Sequence, residues 1–468
     1  MSSIYEDELQ RLIKKDMAQI RILNRENKED ELLRKADEPN RLSAKYHQHY
    51  LGKMETTPKC IIRSFDDFAI WYSPGVAEVC KAIRNYPEKV FDYTNKGNII
   101  AIVNDGTRVL GLGNIGPEAG LPVMEGKALL FKYLGGVDAI PLSINTTNAD
   151  EIINFCKLIK PSFGGINIED IEKPKCFYIL DRLEEESEIP VWHDDQQGTA
   201  TIVVSGAINA LKIVEKKINE VKISMIGSGA ANMRIANLLI FAGVNPKNIV
   251  VVDSKGILSQ HRKDLMNDVK KWDLCLKTNG EDIQGGADIA IKGSDMCIAM
   301  SRSKPGTIKK EWVTSMQDDS IVFACANPLP EIWPWDASDA GARIVATGRS
   351  DFSNQLNNSL VFPGLFRGVL DVRATKITDE MCLAAALEIA KVAEDKGINE
   401  KYIVPTMDEW EVFIREAVVV GTKAIDQGHA QVKRSRDELQ YMSKKIIKRS
   451  RDIVQTLMKE KHILPAPE

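Results

Sequence analysis

Short apolar runs alternate with longer helical patterns over residues 202–350, and this alternation constrains the fold more than any other feature of the chain. "KISMIG", "NIVVVDSKG", "ADIAIKGS" and "SIVFACANP" each predict a buried strand, whereas "ATIVVSGAINALKIV" and "NMRIANLLIFAG" predict helices. Strands that alternate with helices predict an α/β fold with a doubly wound parallel sheet. In such a sheet, ligands bind at the carboxyl ends of the strands.

A second α/β unit precedes this one. "NIIAIVNDG" and "DAIPLSIN" predict strands, and "GKALLFKYL" between them predicts a helix. A chain of 468 residues is too long for a single core, so we expect several domains. They are a helical N-terminal extension, a substrate and metal domain, a Rossmann-type dinucleotide domain, and a C-terminal helical segment that packs back on the substrate domain. Their predicted limits are 1–44, 45–200, 201–370 and 371–468.

The two ends of the chain are rich in charge and predict surface helices. In the N-terminal extension, apolar residues recur at roughly helical spacing: Leu9, Leu12, Ile13, Ile20 and Ile22. The C-terminal tail contains "KRSRDELQ" and "KRSRDIVQ", but two near-copies are too few for a repeat architecture. We interpret the tail as a basic helical surface.

Composition excludes several function classes. A net charge of −4 and an isoelectric point near 6.0 give no overall attraction to nucleic acid or to an anionic membrane. The eight cysteines form no C-x-x-C pair, which argues against a cysteine metal site and a disulfide framework. No secretory signal and no apolar run of membrane-spanning length is visible, so we expect a cytoplasmic protein.

Two glycine loops compete as the nucleotide site. Gly111, Gly113 and Gly116 match G-x-G-x-x-G, but Pro117, Gly120 and Pro122 should delay a helix until about Glu125. The second loop follows a predicted strand, directly opens a helix, and precedes an acidic strand end by 26 residues. This context favours the second loop, whose residues are Gly227, Ser228, Gly229, Ala230, Ala231 and Asn232, although Asn232 stands where a small residue is expected.

Residues after the next strand bear on the choice of cofactor. Asp253 could accept a hydrogen bond from a ribose 2′-hydroxyl, which favours NAD. Ser254 and Lys255 could bind a 2′-phosphate, which favours NADP. From these residues alone, both cofactors stay open.

Two pairs of carboxylates follow short apolar runs. Glu169 and Asp170 end "GGINIEDI", and Asp194 and Asp195 follow "IPVWH". Adjacent carboxylates repel each other, and their hard oxygens suit Mg²⁺ or Mn²⁺. His193 raises the alternative of zinc, but no H-x-x-x-H spacing supports it. The other alternative is a pair of solvated loops.

A tyrosine and a lysine are candidates for proton transfer. Tyr72 lies just before Ser-Pro-Gly and a helix, where a packing role is the alternative. Lys127 is expected near the start of a helix, whose dipole would lower its pKa and suit a general base. A surface lysine is the alternative.

Several motifs in order carry a resemblance to a known family. They are "YSPGVAEVCKAI", "NDGTRVLGLGNIGPEAGLPVMEGKALLF", "INIEDI", "HDDQQGTA", "GSGAAN", "ANPLPEI" and "NNSLVFPG". The chain closely resembles malic enzyme in its compact bacterial form, from about residue 45 to about 420. The resemblance implies oxidative decarboxylation of (S)-malate to pyruvate and CO₂, with reduction of NAD(P)⁺, a requirement for Mg²⁺ or Mn²⁺, and a homodimer.

The resemblance also implies roles for individual residues. Lys127 resembles the general base, Tyr72 the general acid, and Asp194 the residue that supports the lysine. The implied metal ligands are Glu169, Asp170 and Asp195, and the implied substrate contacts are Arg108, Asn327, Asn357 and Asn358, with Asn327 also near the cofactor. "DSKG" at 253–256 is similar to members that use NADP, which favours NADP over NAD.

Two other functions compete with this interpretation. An amino-acid dehydrogenase of similar two-domain architecture would need no metal, and the two acidic pairs would then have no purpose. A catalytically silent regulator that binds malate or nucleotide would be expected to lack the base or the acid, yet Lys127 and Tyr72 are both present.

Overall fold

The computed structural model describes residues 31, 39 and 41–467. The helical pattern predicted between Leu9 and Ile22 lies outside these residues. The described residues form two compact units, one of residues up to Lys53 with 458–467 and one of residues 54–457. In the smaller unit, residues 41–50 are helical, and the hydroxyl of Tyr50 donates to the carbonyl of Leu464 at 2.9 Å.

The first part of the larger unit contains six α-helices and a four-stranded sheet. The helices are α1 (Asp67–Trp71), α2 (Val76–Asn85), α3 (Val90–Tyr93), α4 (Pro117–Gly135), α5 (Ala149–Ile159) and α6 (Lys175–Glu186). The strands are β1 (Ile99–Asn104), β2 (Asp138–Ser143), β3 (Gly165–Ile168) and β4 (Val191–His193). All pair in parallel in the order β2-β1-β3-β4. A turn of π-helix, Asp194–Gly198, leads from β4 into the next helix.

A six-stranded sheet follows. Its strands are β5 (Ile223–Ile226), β6 (Ile249–Asp253), β7 (Gly256–Ile257), β8 (Met296–Ala299), β9 (Ile321–Ala324) and β10 (Ile344–Thr347). Its helices are α7 (Thr199–Ile213), α8 (Ala230–Phe241), α9 (Val269–Lys277), α10 (Ala287–Ile291), α11 (Lys310–Thr314) and α12 (Pro334–Asp339). The order is β10-β9-β8-β5-β6-β7, with only β7 antiparallel. The predicted α/β class with a doubly wound dinucleotide sheet is confirmed.

Four helices follow the six-stranded sheet: α13 (Phe362–Asp371), α14 (Asp379–Lys396), α15 (Glu411–Asp426) and α16 (Arg436–Lys459). They pack on the first part of the chain through α4, where the rings of Phe131 and Phe362 lie 4.4 Å apart. Farther along, the hydroxyl of Ser450 donates to the carbonyl of Lys132 at 2.6 Å. The exact domain limits stay a prediction. Within the described residues, no helix is both long enough and apolar enough to cross a membrane.

Two local predictions were wrong. "ADIAIKGS" was predicted to be a strand, but its first five residues form the short helix α10. The strand β8 begins two residues after this segment and pairs with β5, with Ile298 opposite Met225. Helix α4 begins at Pro117 instead of near Glu125. Proline at the first helical position loses no internal hydrogen bond, and Pro122 one turn later removes a single bond without ending the helix.

Candidate active site

Three carboxylates meet at the carboxyl edge of the four-stranded sheet. Glu169 and Asp170 follow β3, and Asp195 follows β4. Ile168 and His193, the last residues of these two strands, are paired in register, so the residues after them lie close together. One oxygen of each carboxylate lies within 4.8 Å of the others. The backbone N–H of Asp170 also donates to Oδ2 of Asp195 at 3.0 Å. The adjacent strand ends thus bring together the predicted metal ligands.

Charge is poorly compensated in this cluster. Burial, followed by the charge of Asp195, raises the pKa of Asp170 to about 8. Burial is also the main cause that raises the pKa of Glu169 well above its ordinary value. Oδ2 of Asp170 is buried and has no hydrogen-bond partner among the described residues. A divalent cation with oxygen ligands fits such a donor set.

In the described part of the chain, the cluster of possible metal ligands contains no histidine. Nδ1 of His193 lies 3.8 Å from Oδ2 of Asp195, and burial lowers the pKa of His193. Oxygen ligands without nitrogen favour Mg²⁺ or Mn²⁺ over zinc, as the sequence predicts.

Lys127 reaches the same edge from helix α4. Its Nζ lies 2.5 Å from Oδ2 of Asp194 and 3.0 Å from Oε1 of Glu169, and all three side chains are buried. The prediction of a lowered pKa at a helix start was wrong. Lys127 lies in the middle of α4, and although burial alone would lower its pKa, the charges of Asp194 and Glu169 outweigh burial and raise it.

Two residues that sequence reasoning missed orient these carboxylates. The indole N–H of Trp192 donates to Oδ1 of Asp194 at 3.1 Å, and Nδ2 of Asn167 donates to Oε2 of Glu169 at 2.8 Å. Each lies two residues before its partner, and alternate residues of a strand face the same side. This spacing is a signal that could have identified both.

Arg108 and the first glycine loop border the cluster. The backbone N–H of Arg108 donates to the backbone carbonyl of Asp170 at 3.0 Å. The positive charge of Arg108 also opposes, in small part, the rise in the pKa of the Asp170 side chain. Gly111 lies close to the second domain. A Cβ at this position would be only 3.0 Å from the backbone carbonyl oxygen of Asn327. The loop therefore connects a candidate carboxylate clamp with a candidate substrate amide.

The two neighbouring asparagines differ in their surroundings. Oδ1 of Asn357 accepts the backbone N–H of Ser359 and so caps a short turn. Asn358 lies close to Gly198, at the end of the π-helical turn that begins with Asp194. Asn358 thus lies beside the turn that begins with Asp194, the partner of Lys127.

Tyr72 lies on an exposed segment. Its side chain is 74% exposed, and several apolar neighbours are exposed as well: Ile61, Ile62, Phe65, Phe68, Ile70 and Trp71. No described hydrogen bond joins Tyr72 to the carboxylates or to Lys127. Within one copy of the chain, the structure does not bring Tyr72 together with the other predicted catalytic residues.

The second glycine loop has the geometry of a phosphate cradle. Gly227 adopts a φ of 104° after β5, and helix α8 begins at Ala230, directly behind Gly229. The buried amide of Asn232 donates to the carbonyls of Ile226 and Gly227, at 3.0 and 2.9 Å. Asn232 therefore closes the loop with hydrogen bonds where a small residue was expected.

Cations surround Asp253 at the edge of the six-stranded sheet. Arg262 binds both of its oxygens, at 2.7 and 3.1 Å, and Nζ of Lys271 lies 3.1 Å from Oδ2. Burial would raise the pKa of Asp253, but hydrogen bonds from Arg262, from the backbone of Lys255 and from Lys271 lower it. Sequence reasoning missed Arg262 and Lys271.

A cavity of about 1030 Å³ lies at this edge. Its lining includes Gly227, Asp253, Ser254, Lys255 and Arg262. The cavity joins the glycine loop to the end of β6, as a dinucleotide site of this fold requires.

Comparison with known proteins agrees with this geometry. Residues 51–184 match the family "Malic enzyme, N-terminal domain", and residues 196–425 match "Malic enzyme, NAD binding domain". The "Bifunctional malic/malolactic enzyme" of Bacillus subtilis is 47% identical over 86% of this chain and 96% of that protein. The "NAD-dependent malic enzyme" of Geobacillus stearothermophilus is 48% identical over 79% of this chain and 77% of its own length.

Solved structures of malic enzymes are also similar to this chain. The malic enzyme of Entamoeba histolytica superposes with a TM-score of 0.89 at 45% identity, over 91% of this chain and 90% of that chain. The malic enzyme of Pyrococcus horikoshii gives a TM-score of 0.86 at 47% identity, over 90% of this chain and 98% of that chain. With both family domains matched in order, the chain belongs to the malic enzyme family.

Proposed function

We propose that the protein converts (S)-malate to pyruvate and CO₂ with reduction of a nicotinamide cofactor. The observation that carries this proposal is the pairing of Lys127 with Asp194 beside the carboxylates of Glu169, Asp170 and Asp195. It combines a proton acceptor with a cation site at one sheet edge. An amino-acid dehydrogenase would have no use for these three carboxylates, and a silent regulator would have none for the buried lysine.

Each residue has a task that its position supports. Glu169, Asp170 and Asp195 would hold Mg²⁺ or Mn²⁺, which when bound supplies a Lewis acid for a substrate oxygen. Lys127 takes the proton of the C2 hydroxyl, and Asp194 keeps the lysine in place. Before it can act, Lys127 must lose its own proton, and the charges of Asp194, Glu169 and Asp195 oppose this loss. Two of these three residues, Glu169 and Asp195, are among those that would hold the cation.

Substrate contacts come from both domains. Arg108 would bind a carboxylate of malate in the bidentate manner of a guanidinium. Asn327 and Asn358 would donate hydrogen bonds to the substrate, with Asn357 supporting the turn that carries Asn358. Among the two asparagines that the sequence left unresolved, this assigns the substrate contact to Asn358.

Tyr72 is proposed as the acid that protonates C3 of the product enol, in a homodimer. Exposed apolar side chains around it, such as Phe65 and Trp71, are a patch that association of two copies would cover.

Mixing the Tyr72→Phe variant with the Lys127→Ala variant tests whether two subunits share one active site. A mixture that regains activity after subunit exchange indicates that one subunit supplies the tyrosine and the other the lysine, and an inactive mixture indicates that both come from one chain.

For the cofactor, we propose NADP in preference to NAD. Arg262 and Lys271 occupy the carboxylate of Asp253, which is then less available to a 2′-hydroxyl and less repulsive to a 2′-phosphate. Lys255 lies 68% exposed beside the same cavity, where it could bind that phosphate. The relatives include both NAD- and NADP-dependent malic enzymes, so the assignment rests on these contacts. A cytoplasmic location stays a prediction of the sequence.

Purified full-length protein tests the proposed function directly. With (S)-malate, NADP⁺ and Mn²⁺ we expect NADPH and an equal amount of pyruvate, loss of both with EDTA, and recovery with added Mn²⁺. The same assay with NAD⁺ gives the ratio of kcat/KM values. Turnover that persists without metal, or no turnover with either cofactor, would refute the proposal.

A further inference from the structure

A lysine of the substrate domain reaches the nucleotide loop. Lys173 lies three residues after Asp170, in the segment between β3 and α6. Its Nζ donates to the carbonyl of Ser228 at 3.3 Å. Ser228 is the middle residue of the Gly227–Gly229 loop, so the ammonium group lies where that loop would cradle phosphate.

The packing around Lys173 holds the two regions close together. Ala230, the first residue of helix α8, packs against the apolar core of the four-stranded sheet, which includes Ile168 and Ile171. The amino end of α8, with its free N–H groups and positive dipole end, therefore faces the segment that carries Lys173. An anion bound at this helix end would lie between the loop and the lysine.

Charge at this place also favours an anion. The surroundings of Lys173 include Lys271 together with Asp253 and Asp268, and Arg262 already binds Asp253. Burial and then repulsion by Lys271 lower the pKa of Lys173, while the charges of Asp268 and Asp253 partly oppose this change. A neutral carbonyl is a weak partner for an ammonium group, compared with a phosphate oxygen.

We propose that Lys173 binds the pyrophosphate of the dinucleotide, exchanging the Ser228 carbonyl for a phosphate oxygen. The inference rests on the proposed function, because it requires a dinucleotide in this loop. Pyrophosphate is favoured over a 2′-phosphate since Ser228 belongs to the glycine loop, whereas Lys255 and Arg262 lie at the ribose end of the cavity. Lys173 also joins cofactor binding to the segment that follows Asp170.

Calorimetric titration of the full-length protein tests this proposal, in the absence of metal and malate. The ligands are NAD⁺, NADP⁺ and ADP-ribose, which share the pyrophosphate but differ in the 2′-phosphate and the nicotinamide. We expect Lys173→Gln to weaken all three about 10-fold and to reduce the salt dependence of binding, whereas Lys173→Arg should stay within about threefold of the wild type. Lys292→Gln, at an exposed lysine of the same dinucleotide domain, is the matched control and should change nothing.

Steady-state kinetics give a second readout. In Lys173→Gln we expect a raised KM for the cofactor, with kcat and the KM for malate close to those of the wild type. Equal affinities of Lys173→Gln and wild type for all three ligands would overturn the inference, and so would a loss confined to NADP⁺, since that would place Lys173 at the 2′-phosphate. Failure of the wild type itself to bind any dinucleotide would instead refute the proposed function.

Discussion

The carboxyl edges of the two sheets carry opposite imbalances of charge. At the four-stranded sheet, Lys127 is the buried cation that faces the acidic side chains Glu169, Asp170, Asp194 and Asp195, and the pKa values of Glu169 and Asp170 are raised. At the six-stranded sheet, Asp253 is bound by Arg262 and Lys271, and its pKa is lowered. The charge of the first edge therefore favours a cation, and that of the second can accept an anion.

This contrast shows how one architecture serves two ligands. Parallel strands bring their carboxyl ends to one edge in both sheets, so topology decides where a ligand binds. The residues that follow each strand decide what binds there. A divalent metal and a phosphate-bearing cofactor are complementary to the first and second edge, respectively.

Removing Lys127 should have the largest effect. Lys127→Ala deletes the proposed proton acceptor and leaves Asp194 and Glu169 without their buried cation. We expect turnover to fall by about 10²–10⁴-fold or more, with cofactor affinity retained, as measured by NADPH formation and by calorimetry. Lys132→Ala is the matched control, because Lys132 lies in the same helix and pairs with Asp138. Activity close to wild type in Lys127→Ala would exclude the lysine as the base.

Neutralising a proposed metal ligand should have the next largest effect. Asp170→Asn removes one charge from the three-carboxylate cluster, and we expect the affinity for Mn²⁺ to fall on the order of 100-fold in calorimetric or electron paramagnetic resonance titrations. Asp264→Asn, at the other sheet edge, serves as control and should bind Mn²⁺ as the wild type does. If both variants bound Mn²⁺ equally well, the cation site would lie elsewhere.

At the second edge, Arg262 should control cofactor choice. Arg262→Ala frees one face of Asp253, whose charge then repels a 2′-phosphate and can accept a 2′-hydroxyl. We expect the ratio of kcat/KM for NADP⁺ over NAD⁺ to fall by roughly 10-fold. Arg343→Ala removes a guanidinium that pairs with Asp319 and Glu400 in the same domain, and it should leave the ratio unchanged. An unchanged ratio in Arg262→Ala would contradict the role of Asp253.

Local sequence signals predict much of both edges. Apolar runs identify β5, β6 and β9, and the acidic pairs stand directly after β3 and β4, so the metal cluster follows from strand ends that lie side by side. The choice of the second glycine loop rested on its neighbouring strand, helix and Asp253, and the structure places all three as expected. These features depend on residues that are close in the sequence.

What the sequence did not predict depends on distant partners. The raised pKa of Lys127 comes from carboxylates far along the chain, with Asp194 67 residues away. Lys271 reaches Asp253, at the end of strand β6, from helix α9, 18 residues farther along the chain. Neither periodicity nor motif spacing contains such contacts, because they form only when the whole domain packs.

One buried carboxyl lies at neither edge. It allows the cost of a buried charge to be measured where no ligand is expected to bind. Glu416 of α15 is fully buried against Gly364 of α13, and neither of its oxygens has a hydrogen-bond partner among the described residues. Burial raises its pKa well above the ordinary value of 4.5. Among the residues that the structure describes, no cluster of metal-ligating side chains includes Glu416, so we expect Glu416 to reduce stability without serving a cation.

Replacing Glu416 with glutamine should therefore stabilise the protein. A carboxyl whose pKa is raised by folding holds its proton in the folded state, so the wild type loses stability as pH rises above about 4.5, by about 1.4 kcal/mol per pH unit until the folded pKa is reached. Glu416→Gln keeps the shape and cannot ionise, so its advantage in unfolding free energy should be small near pH 4.5 and grow toward neutral pH. Urea unfolding at several pH values, with activity as a check on the fold, measures this difference. A gain that does not change with pH would show that ionisation of Glu416 is not its cause.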